Sequence, residues 1–127
     1  MKFTGYGTLS YKNTWLLVEI SDDLGIYYRS LINSYSRSTV LQKPMNGEHI
    51  TVIAGKYEVA NHSPNWRKYE GEKIEFQYSS DIQTDYCYFW LPVTCNRIEE
   101  IRIELGLKPT IKCPWHITVG NLKHYVK

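Results

Sequence analysis

GEHITVIAGK (Gly47–Lys56) and CPWHITVGNL (Cys113–Leu122) share His-Ile-Thr-Val, in a chain of 127 residues that has four histidines. Each tetrapeptide reads as a strand, because β-branched residues favour the pleated backbone and side chains two apart share a face. His49 and Thr51 then point one way, and Ile50 and Val52 point the other way into a core. His116 and Thr118 do the same, with Ile117 and Val119 buried. The surroundings repeat as well. Ahead of the first motif come a strand at Thr14–Ile20, a helix and the Pro-containing loop QKPMNGE. Ahead of the second come a strand within DYCYFWLPVT (85–94), a helix and the loop KPTIKCP. Each motif is therefore the closing strand of a β-α-β unit, and the fold class expected is α+β.

The two helices follow from their apolar spacing. Leu24, Tyr27, Tyr28, Leu31, Ile32 and Tyr35 recur at i, i+3, i+4, i+7, i+8 and i+11, with an Asp pair at the start. Ile98, Ile101 and Leu105 form a shorter helical face, which Gly106 closes. FTGYGTL (3–9) is expected to be a short first strand, and EKIEFQYS (72–79) an alternating one. The polar stretch KYEVANHSPNWRKYEG (56–71) has no period and is expected to be a long surface loop, of a length often functional.

Composition bounds the remainder. The length suits one domain spanning residues 1–127, with 43% apolar and 22% charged residues and a net charge of +2. Acidic and basic residues are interleaved, which argues against a tail gripping long double-stranded nucleic acid but leaves room for a small anionic ligand. Apolar runs such as TWLLVEI are too short to cross a bilayer. The opening MKFTGYGTLSYKN lacks a signal-peptide core, so a cytoplasmic location and no membrane partner are expected. The three cysteines, Cys87, Cys95 and Cys113, show no zinc spacing and are expected to be buried thiols. No Asp/Glu/His cluster stands at ligand spacing, so neither metal nor cofactor is expected. No protein partner is expected either.

If the two units face each other, their His-Thr faces line one cleft holding two imidazoles and two hydroxyls. An imidazole with an ordinary pKa near ~6.5 exists in both protonation states at neutral pH. One can take a proton from an attacking oxygen while the other gives one to a leaving oxygen. Threonine hydroxyls can donate to the non-bridging oxygens of a phosphate between them.

Two His-x-Thr-hydrophobic motifs separated by one β-α-β unit resemble the two-histidine (2H) phosphoesterase superfamily. Together with KPMNGEHITVIAGKYE, NWRKYEGEKIEFQY, IRIELGL and WHITVGN, they also resemble its small bacteriophage branch, labelled Swiss-army-knife RNA-repair-like. The resemblance spans nearly the whole chain. It implies a bilobal fold, with two pseudo-symmetric β-α-β lobes and antiparallel sheets around a central groove. It also implies a metal-independent phosphodiesterase acting beside a ribose 2′-OH, in the host cytoplasm if the protein is viral. His49, Thr51, His116 and Thr118 match the family pattern at all four positions and take its catalytic roles.

The substrate expected is a small cyclic nucleotide or oligonucleotide, such as an immune second messenger of bacteria. The alternatives are a 2′,3′-cyclic phosphate end on RNA or tRNA, and a non-catalytic module that sequesters a nucleotide. Lys56 and Arg67 are candidate phosphate ligands, alongside Lys43 and Lys68, each weighed against a solvated surface charge. Tyr57 and Trp66 are candidates for stacking on a base. Trp115 is read as core, Glu48 as structural or solvated, and His62 and His124 as incidental. Tyr6 and Tyr11 have no geometric argument for reaching the cleft.

Overall fold

A computed structural model describes residues 2–35, 40–45, 47–85 and 87–125. Its elements are β1 (Lys2–Lys12), β2 (Trp15–Ile20), α1 (Asp23–Tyr35), β3 (His49–Ile53), β4 (Lys73–Ser79), β5 (Gln83–Asp85), β6 (Tyr88–Thr94), α2 (Asn96–Glu104) and β7 (His116–Asn121). The fold is α+β, and every strand pair is antiparallel. The sheet runs β3-β2-β1-β4-β6, and β6 also carries β5 and β7. Its two ends, β3 and β7, come back toward each other, so the sheet nearly closes into a barrel.

The first strand is longer than its glycines suggested. β1 extends over Lys2–Lys12 because it is paired on both edges, with β2 and with β4. Its turn into β2 leaves only Asn13 and Thr14 between the paired Lys12 and Trp15, and Asn13 takes the left-handed backbone, φ 55°. The run expected as one strand from 85 to 94 is two: Asp85 pairs back onto Tyr88, making β5 and β6 a hairpin.

α1 turns only part of its expected stripe inward. Tyr28 is buried and Leu24, Leu31 and Ile32 pack against the core, whereas Tyr27 and Tyr35 are exposed at 60% and 85%. Tyr27 lies at the flank and sets its ring edge-on to Tyr28, centroids 4.9 Å apart. Gly25 is buried because the Glu48 carboxylate crosses over it on the way to Arg29, 2.6 Å away. A Cβ at position 25 would fall on that carboxylate. Gly25→Ala would stabilise an open helix by up to about 1 kcal/mol. Here it is expected to destabilise the protein by about 1–3 kcal/mol through overpacking, read as a lower urea midpoint.

α2 buries Ile98, Ile101 and Leu105, as its spacing predicts, together with Arg102. It ends at Gly106, φ 83°, with the N–H groups of Gly106 and Leu107 donating to the carbonyls of Ile103 and Arg102. That double bond closes the last turn in the way a left-handed glycine permits.

The stretch 56–71 departs most from expectation. Ala60, Trp66 and Tyr69 are buried in the main core. The Trp66 ring packs edge-on to Tyr11 with centroids 4.8 Å apart. The Tyr69 hydroxyl donates to Glu104 at 2.6 Å, and the Tyr69 amide donates to the Tyr11 hydroxyl at 3.3 Å. Burial and that carboxylate hold the Tyr69 phenol up at about 12. A chain of tight turns satisfies the backbone locally, so the segment is a second wall of the core despite its polar composition.

Candidate functional site

The likeness of the two motif strands goes beyond their letters. In the first unit His49, Ile50 and Thr51 pair with Glu19, Val18 and Leu17. In the second His116, Ile117 and Thr118 pair with Pro92, Leu91 and Trp90. The register then slips in both. Ile53 pairs with Leu16, leaving Val52 as an extra residue, and Gly120 pairs with Phe89, leaving Val119 as an extra residue. Each strand thus carries a β-bulge directly after the motif threonine. A bulge bends its strand and lets two successive residues face inward. That accounts for Val52 and Ile53 both being buried, as are Val119 and Gly120, while each His and Thr stays half-buried.

The imidazoles are oriented in the same way. His49 Nδ1 lies 3.0 Å from the carbonyl oxygen of Gly47, and His116 Nδ1 lies 2.9 Å from that of Pro114. A carbonyl only accepts, so each Nδ1 carries the proton, and in the neutral ring the lone pair falls on Nε2. This fixes both the ring plane and the tautomer. Each Nε2 is left to take a proton, or to give one once the ring is charged.

Two adjoining hollows receive these rings. One, of about 550 Å³, is lined by His49, Thr118, Tyr88 and Asn121, with Gln42, Lys43, Met45 and Lys123 around its rim. The other, of about 290 Å³, is lined by His116, Thr118, Tyr88, Trp90, Asp85, Cys113 and Pro114. Thr118 and Tyr88 line both, so the two hollows adjoin at these residues, one holding His49 and the other His116; together they form the groove. The halves differ in chemistry. The His49 side carries two lysines and no carboxylate among its described lining residues. The His116 side is aromatic, with the Trp90 ring edge-on to His116 at 5.5 Å. The Lys123 ammonium lies 5.0 Å from the centre of the Tyr88 ring, and the neighbouring Tyr88 hydroxyl raises its pKa.

The other expected site residues lie elsewhere. Thr51 shares a face with His49, is half-buried and lines neither hollow. Lys56 and Tyr57 are exposed beyond the opposite end of β3 from His49, the ammonium 5.5 Å from the ring centre. Arg67 is exposed, 5.1 Å from the Tyr11 ring centre and 4.0 Å from Glu70. Trp66 is buried at 6% exposure, and no base can stack on a ring enclosed in the core. None of these four lines the groove. Lys43 does, and Lys68 instead lies 3.7 Å from Glu104. Trp115 is buried, and Glu48 is a buried structural anion paired with Arg29. His62 and His124 are exposed. Tyr6, exposed, bonds Glu75 at 3.2 Å, and Tyr11 supports Trp66. Cys87 and Cys95 are buried, but Cys113 is exposed at the edge of the His116 hollow.

Sequence reading passed over Tyr88, Trp90, Asn121 and Lys123. Alternation along β6 puts Tyr88 and Trp90 on one face, and the register pairs them with Asn121 and Thr118. A cross-strand neighbour shares the face of its partner. The signal was therefore available only once the pairing of β6 with β7 was known.

Among the described residues, no group of three or more His, Cys, Asp or Glu is arranged to hold a metal ion. None of the described helices is long and apolar enough to cross a membrane. Comparisons with known protein families, curated proteins and solved structures find no match to this chain.

Proposed function

We propose that the protein is a metal-independent phosphodiesterase. It cleaves a nucleotide phosphodiester beside a ribose 2′-OH, in the bilobal manner of the 2H phosphoesterases, and works in the cytoplasm. The observation that carries this reading is the matched pair of imidazoles. Each has Nδ1 tied to the carbonyl two residues back, and each lines a groove centred on Thr118. A neutral Nε2 on one side accepts the proton of the attacking 2′-OH or water. The protonated ring on the other side gives its Nε2 proton to the departing oxygen as the P–O bond breaks. The Thr118 hydroxyl donates to a non-bridging oxygen, where charge builds up. Thr51 takes the equivalent place in the first motif by analogy alone. Two imidazoles supply both proton transfers, so the mechanism calls on no metal.

The preferred substrate is a small cyclic oligonucleotide of the kind used as an immune second messenger. Lys43 and Lys123 favour a ligand with a second phosphate beyond the one between the histidines, and Trp90 and Tyr88 offer faces to a base. A 2′,3′-cyclic phosphate on an RNA end is the second reading, because the same chemistry opens it. The discriminating assay offers cyclic dinucleotides, cyclic trinucleotides and 2′,3′-cyclic mononucleotides to the purified protein in EDTA. Turnover of the cyclic oligonucleotides in EDTA is expected. Turnover of the mononucleotides alone would favour end processing, and binding with no turnover would favour a sequestering module.

A further inference from the structure

Each motif strand is held at its bulge by an arginine from the other half of the chain. Arg29, on α1, donates from Nη1 to the carbonyl of Val119 in β7 at 2.9 Å. Arg102, on α2, donates from Nη1 to the carbonyl of Val52 in β3 at 2.9 Å. Val52 and Val119 are the extra residues of the two bulges, so the two bonds are equivalents under the internal repeat. Both arginines are largely withdrawn from solvent, with side chains 13% and 1% exposed.

Each guanidinium is in turn fixed by a carboxylate. Arg29 bonds Glu48 at 2.6 Å, the residue directly before His49. Arg102 bonds Glu58 at 2.6 and 2.8 Å, and its Nε reaches the carbonyl of Lys108 at 2.8 Å. The extra peptide of a bulge stands outside the ladder pairs, so no partner residue across the ladder fixes its plane. A planar fork of donors, anchored by a carboxylate, can fix it. A bulge re-aims the side chains beside it, so the tilt of that peptide bears on where the preceding Thr and His project.

We propose that Arg29 and Arg102 are positioning residues: each sets, through a bulge carbonyl, the aim of the His-x-Thr pair that belongs to the opposite half. The groove is then built reciprocally, neither half aiming its own imidazole alone. The kinetic part of this inference rests on the phosphodiesterase reading, whereas the spectroscopic part does not.

The test uses the full chain labelled with ¹⁵N-histidine. Ring resonances of His49 and His116 are assigned from the His49→Ala and His116→Ala variants and followed by long-range ¹H–¹⁵N correlation. Arg102→Gln is expected to move the His49 ring signals and leave those of His116 near wild type. Arg29→Gln is expected to move both, through Val119 and through Glu48. Glu58→Gln, which spares the Arg102–Val52 bond but weakens its anchor, should move the His49 signals less than Arg102→Gln does. Arg102→Lys keeps the charge and a single donor nitrogen, and should bring the His49 signals part of the way back.

In the cyclic-oligonucleotide assay, kcat should fall about 10- to 100-fold in Arg102→Gln with KM within about twofold, as expected for misaligned groups. A folded Arg102→Gln protein with wild-type His49 signals overturns the inference. So does unfolding of every arginine variant, the Lys replacement included, which would leave these residues a role in stability alone. The expected shifts at the histidines in a protein that turns over no substrate would uphold the positioning role and sink the phosphodiesterase reading.

Discussion

His116→Ala is expected to lower kcat on the true substrate by about 10²–10⁴-fold, and His49→Ala by a similar factor. On the proposed mechanism each ring makes one proton transfer. The described lining of the His116 hollow offers only Asp85 and Cys113 as further titratable groups besides Tyr88. Among the described residues, neither has a side-chain hydrogen bond equivalent to the one that orients each imidazole through Nδ1. The effect should fall on kcat far more than on KM, because both proton transfers occur in the transition state. The folds of both variants should survive, since each ring is half-buried at the groove. The check is steady-state kinetics in EDTA beside far-UV circular dichroism. An active His116→Ala protein would mean that the two-histidine mechanism is wrong.

Trp66→Ala is expected to destabilise the protein by about 3–5 kcal/mol, in the range found for deleting a large buried ring. The indole is 6% exposed and packs edge-on to Tyr11 beneath a segment that reads as a surface loop. Tyr57→Ala, nine residues earlier and 78% exposed, should change stability by no more than about 0.5 kcal/mol. Urea unfolding of the two variants makes the comparison. A Trp66→Ala protein as stable as the parent would return the ring to the surface and revive its candidacy as a stacking platform.

Trp66 and Trp90 show what limits a reading made from sequence. Trp66 lies among Asn, Arg, Lys and Glu, and composition made it a loop aromatic available to a ligand. It is buried because Tyr11 on β1 and the main core close over it, contacts far away in the chain. Trp90 lies in an apolar run, with nothing in the sequence to single it out, yet it stands beside His116 at the groove. The face a strand residue occupies follows from alternation. Whether that face is core or groove depends on what the rest of the sheet puts in front of it. The same holds for Lys43, a candidate phosphate ligand weighed against a solvated charge, and for Lys123, which nothing in the sequence singles out. They share a hollow because Gln42 and Asn121, remote in the chain, bridge to each other through two backbone hydrogen bonds.

The sequence alone determined the two motif strands, the helix ahead of each, and the division of each motif into a buried Ile-Val face and a half-buried His-Thr face. These are local expectations, set by side-chain period and by β-branching. The tertiary structure alone decided that the repeat extends to a bulge after each threonine and that each bulge carbonyl is held by an arginine from the other half. It also decided that the groove is cationic beside one histidine and aromatic beside the other. Such features depend on register and on the closure of the sheet. Both come from pairing between residues remote in the chain, and no window along the sequence contains them.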